Sequence, residues 1–129
     1  MTEPDLVRFV TAQDAVYPQV AEELSNGCKR THWMCFIFPQ IAGLGRSPMA
    51  QRCAIRGLDQ AKRYLADPHL GARLRQVVRL MMDQTTKSAL EILGSPDDLK
   101  FRSCLTLFRE AASDKSDPAY YSPRGALLS

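Results

Sequence analysis

Apolar residues recur at three- and four-residue intervals along almost the whole chain, the spacing that lines one face of an α-helix. Leu6, Phe9 and Val10 follow Pro4-Asp5, and Tyr17, Val20, Ala21 and Leu24 run up to Asn26-Gly27, a left-handed stop signal. Met49, Cys53 and Ala54 follow Ser47-Pro48, a helix cap with proline at the first helical position. Leu58, Ala61 and Leu65 make another stripe. After Asp67-Pro68 comes the clearest amphipathic segment, with Leu70, Leu74, Val77, Val78 and Met81 on one face and Arg73, Gln76 and Arg79 on the other. Ser88 and Glu91 have capping-box spacing ahead of Gly94, and Asp97-Asp98 opens a last helix that buries Phe101, Cys104, Leu105, Phe108 and Ala112.

The run Trp33-Met34-Cys35-Phe36-Ile37-Phe38, ended by Pro39, has no decisive period. We assign it to a helix, because no partner strand is evident and an isolated strand leaves its backbone groups unpaired. The pattern therefore predicts an all-α fold, a single compact globular domain of seven or eight short helices over residues 1–112. Residues 113–129 lose the periodicity and are expected to form an irregular tail that contributes little core.

Charge changes this picture. Residues 1–27 carry one basic and five acidic side chains, and residues 28–80 carry ten Lys or Arg against Asp59 and Asp67. Residues 81–129 hold six basic and seven acidic side chains. The basic middle should pair in part with the acidic first segment, and its excess favours an anionic partner. An apolar share of 45% suits a globular protein, and no apolar run reaches the ~20 residues that span a bilayer. Glu3, Asp5 and Arg8 precede any apolar stretch, so no signal peptide is expected and the chain reads as cytoplasmic. Cys28, Cys35, Cys53 and Cys104 form no C-x-x-C pair, and the only histidines are His32 and His69. Neither a metal site, a cofactor nor a disulfide framework is expected, and the thiols read as buried and inert. Nothing in the pattern sets the oligomeric state.

Lys29-Arg30-Thr31-His32-Trp33-Met34-Cys35-Phe36-Ile37-Phe38-Pro39-Gln40, followed by Gly43-Leu44-Gly45, resembles the signature of the DUF1810 family. Asp5 to Val10 with Ala12-Gln13, Tyr64 to Leu74, and Pro96 to Lys100 with Thr106-Leu107-Phe108 agree in the same register. The resemblance implies an all-α fold, a bacterial source and no accepted activity. Some members carry the label calpastatin, an inhibitor made of disordered repeats, which does not suit a chain patterned as a packed globule. Cys35 stands where the family usually has a second tryptophan, and Cys53 where it tends to have tyrosine.

The richest chemistry lies between Lys29 and Ser47. A helix beginning at Ser47 would present unpaired N–H groups and a positive dipole end, Gly43 and Gly45 would allow close backbone approach, and Arg46 would add charge-assisted bonds. With Lys29, Arg30, Trp33 and Gln40, and with Lys100 and Ser103 from the last helix, these residues form a candidate site for an anionic, phosphate-bearing and nucleotide-like small molecule. The spacing matches neither a dinucleotide-binding fingerprint nor a P-loop. An alternative makes the protein an enzyme on such a ligand, with His32 as general base, its proton affinity lowered by Lys29 and Arg30. A second alternative is a protein–protein interaction module with no ligand. Sequence-specific nucleic-acid binding is not expected, since no zinc finger, RNP-type motif or helix-turn-helix pattern is present. Gln13 is a further candidate for a buried polar group.

Overall fold

A computed structural model describes residues 4–43, 48, 51 and 53–112. Among the described residues the chain forms seven helices: α1 (Val7–Asp14), α2 (Tyr17–Ser25), α3 (Met34–Ile37), α4 (Leu58–Ala66), α5 (Leu70–Met82), α6 (Ala89–Leu93) and α7 (Asp97–Ala111). The all-α expectation holds. α3 is a single helical turn in the apolar run that the sequence left ambiguous. The sole β-type pairing among the described residues is one parallel bridge, Ile41 with Ile55, in which Ile55 N–H donates to Gln40 and Ala42 N–H donates to Ile55.

Local chemistry accounts for the boundaries. Gly27 ends α2 at φ +69°, a left-handed conformation that costs glycine little. Ser88 and Glu91 exchange both bonds of a capping box at the start of α6. Asp67 opens α5 from outside it, accepting from the backbone N–H of His69 and of Leu70 at 2.9 and 3.0 Å.

α4 packs against α7 and α5, α2 against α5, α6 against α7, and α1 against α3. The core is strung on aromatic side chains, with Phe9 edge-on to Tyr64, Tyr64 against Phe108, and Phe38 edge-on to Phe101 and tilted on Trp33. All six are buried, and each is worth roughly 1.5–3 kcal/mol on leaving water. Gln13 is the polar group inside this core. Its Nε2 donates to the Phe36 carbonyl and to the Tyr64 hydroxyl, while its Oε1 accepts from Arg73, so α1 is tied to α3, α4 and α5.

The acidic first segment does pair with the basic middle. Asp5 bonds Arg63 at 2.8 Å and Asp14 bonds Arg73 at 2.6 Å. Arg73, assigned by its spacing to the wet face of α5, is half-buried and lies over the Tyr17 ring. No described helix is long and apolar enough to cross a membrane.

Candidate functional site

The loop after α2 is organised by one carboxylate. Glu23 is buried, and it accepts from the backbone N–H of Arg30 (2.6 Å), that of Thr31 (3.0 Å), the Thr31 hydroxyl (2.7 Å) and Trp33 Nε1 (3.0 Å). Burial alone would push its carboxyl up. The donors from Arg30, Thr31 and Trp33 outweigh burial and hold it at about 2. Trp33 is 1% exposed, so its indole serves the core and this network. Lys29 lies over the Trp33 ring and pairs with Asp97 at 3.1 Å, and Lys100 reaches the other oxygen of Asp97 at 3.7 Å. Asp97, which the sequence assigned to the helix end, thus takes two ammonium groups. Lys29, Trp33 and Lys100 are brought together around it.

The other anticipated residues do not join that cluster. Arg30 contributes its backbone to Glu23 while its side chain is exposed. His32 is exposed and makes no hydrogen bond or ion pair among the described residues. Gln40 gives its carbonyl to the Ile55 bridge. Gly43 is exposed at φ +98°, the left-handed turn that suits glycine. Gly45, Arg46 and Ser47 lie outside the described residues, as does the tail 113–129.

Two of the concavities among the described residues bear on these assignments. One is an apolar groove of about 580 Å³ along α7, edged by the exposed side chains of Ile41, Leu58 and Leu99, and Ser103 lies in it. The other is a cavity of about 970 Å³ between α1, α3 and the chain flanking the Ile41–Ile55 bridge. Phe9 and Phe36 supply its aromatic wall and Arg8 and Arg56 its charge. Ala42 and Pro48 both line it.

Arg8 is held from several sides. Its guanidinium donates to the Asp5 carbonyl and, at 3.0 Å, to the Ala54 carbonyl, and it lies over the Phe9 ring at 4.5 Å. Burial lowers its proton affinity and the like charge of Arg56 lowers it further, with Asp5 opposing both. Arg56 is exposed, and its backbone N–H donates to Gln60. Arg8 and Arg56 thus place two like charges on one concave wall, offset in part by Asp5.

This pairing was missed in the sequence. Arg8 and Arg56 are 48 positions apart, and the Arg8–Ala54 bond and Gln60, which accepts from the Arg56 N–H and donates to Asp5, bring their segments together. The thiols also depart from expectation. Cys104 is buried, as anticipated, but Cys28 is exposed, and Cys35 and Cys53 are half-buried neighbours. Inward-pointing spacing cannot foresee a contact between segments joined through a bridge.

A model of the family described as "Protein of unknown function (DUF1810)" matches residues 3–122. Among solved structures, the chain is similar to the conserved hypothetical protein Rv1873 from Mycobacterium tuberculosis. The two share 49% identity with a TM-score of 0.85, over 88% of this chain and 81% of that one. No curated protein matches the chain.

Proposed function

The chain belongs to the DUF1810 family of proteins of unknown function, and with no family activity to carry over we propose that it binds an anionic, phosphate-bearing small molecule in the cavity walled by Arg8 and Arg56. The observation that carries this reading is that Arg8 and Arg56 line one cavity together with Phe9 and Phe36. A cavity of about 970 Å³ lies at the upper end of the roughly 300–1,000 Å³ range of small-molecule sites. Guanidinium forks suit phosphate oxygens, and the face of Phe36 suits a flat ring, which together favour a nucleotide-like ligand.

On this reading Lys29, Trp33 and Lys100 hold α7 to the loop after α2 through Asp97 rather than touching the ligand. Arg30, His32, Gln40 and Ser103 are not needed. The protein is then a binding module, and an enzymatic role for His32 gains no support from its exposed position.

A thermal-shift screen of nucleotides and phosphorylated metabolites at low salt tests the reading. It expects saturable stabilisation that weakens as salt rises, because charge interactions at an open cavity are screened over about 10 Å at 0.1 M. A screen in which no phosphate-bearing compound moves the melting temperature would overturn it.

A further inference from the structure

The Cys35 thiol, from α3, donates to Cys53 with the two sulfurs 3.2 Å apart. All four cysteines are thiols. A disulfide needs a sulfur separation of about 2.05 Å, so the pair must close by little more than an ångström. Cys53 lines the Arg8–Arg56 cavity, where a reagent can reach it. Positive charge acts on both members, Arg8 on Cys53 and Lys100 on Cys35. Partly exposed thiols beside cations are the environment in which cysteines become reactive, in contrast to the wholly apolar burial of Cys104. The two roles are unequal. Cys35 is the hydrogen-bond donor of the pair, and its proton is held more tightly because of that bond to Cys53 and because of burial. Cys53 receives that bond and faces the cavity.

We infer that Cys35 and Cys53 form a redox-sensitive dithiol, Cys53 attacking a low-molecular-weight disulfide from the cavity and Cys35 resolving the adduct. The Cys53 thiol gives its proton to solvent and the resulting thiolate attacks one sulfur of the small disulfide, whose S–S bond breaks and releases one thiolate, leaving a mixed disulfide on Cys53. Cys35 then gives up its proton to solvent and attacks the Cys53 sulfur. The second small thiolate leaves and a Cys35–Cys53 bond forms. Two protein thiols are oxidised, and one small disulfide is reduced to two thiols. The product encloses the chain between the two cysteines in a covalent ring. That ring includes Ala42, Pro48 and Gln51 on the cavity wall, so oxidation fixes the rim of the cavity. The chemistry does not depend on whether the cavity binds an anion.

The experiment exposes the full chain to oxidised glutathione, quenches with an alkylating agent and maps the peptides under non-reducing conditions. The expected result is a Cys35–Cys53 linked peptide that dithiothreitol reverses, formed equally well in Cys28→Ser, the variant that removes the exposed thiol. Cys35→Ser should stall with glutathione on Cys53. Cys53→Ser should leave Cys35 modified at least about tenfold more slowly, because the sulfur that lines the cavity is gone. Recovery of Cys35 and Cys53 as separately alkylated thiols, with glutathione confined to Cys28, would overturn the inference. So would a wild-type adduct that persists on Cys53 without closing. If a serine variant fails to fold, the wild-type map decides alone.

Discussion

Glu23 shows how much one side chain can organise. Its carboxylate replaces water for three backbone or hydroxyl groups of the following loop and for the Trp33 indole. Removing it strands four donors, whereas glutamine keeps the shape and loses the charge. We expect Glu23→Gln to lower stability by about 1–3 kcal/mol at neutral pH, measured by urea unfolding. The same residue predicts an acid response. Its folded carboxyl sits at about 2 against an ordinary 4.5, so the folded state binds fewer protons. That contribution is complete above pH 4.5 and is lost as pH falls towards 2. The variant should therefore lose less stability across this window than the wild type does. Parallel curves would remove Glu23 from the account. None of this was legible beforehand, because a glutamate in an acidic helix reads as surface until the loop is seen to fold over it.

At the scale of elements, the Ser88 cap and the Gly27 stop were read correctly because their signal is local. The Ser88–Glu91 box, Gly27 and the cap by Asp67 each depend on residues within four positions. Asp67→Ala should cost roughly 1–2 kcal/mol, the worth of a helix cap, and thermal melts would detect it. Gly71 is different. Alanine inside a helix ordinarily gains about 1 kcal/mol over glycine. Here a Cβ would stand 2.2 Å from the Leu65 carbonyl oxygen, where α4 turns into α5, and backbone cannot move aside cheaply. Gly71→Ala should therefore destabilise, by about 1–3 kcal/mol as for other overpacked sites. A stabilised variant would show that the two helices are not so closely apposed. The period of α5 located the helix and gave no hint of this contact, which depends on the angle at which α4 arrives.

At the scale of the whole molecule, the charge blocks foretold that the first segment would pair with the middle, and Asp5–Arg63 and Asp14–Arg73 do so. They could not tell which cations would be consumed. Lys29, the first cation of the candidate segment, is taken up by Asp97, while Arg8, the one cation of the acidic segment, meets Arg56 on a cavity wall. The proposed anion site is accordingly centred on Arg8 and Arg56 rather than on Lys29 and Trp33. That placement can be tested directly. Isothermal titration of the strongest phosphate-bearing ligand should show affinity at least about tenfold weaker in Arg56→Ala, the worth of one charge-assisted bond. It should show no change in Lys29→Ala beyond what lost stability explains. Equal affinity in wild type and Arg56→Ala, or loss in Lys29→Ala alone, would contradict the assignment and return the site to the residues around Asp97.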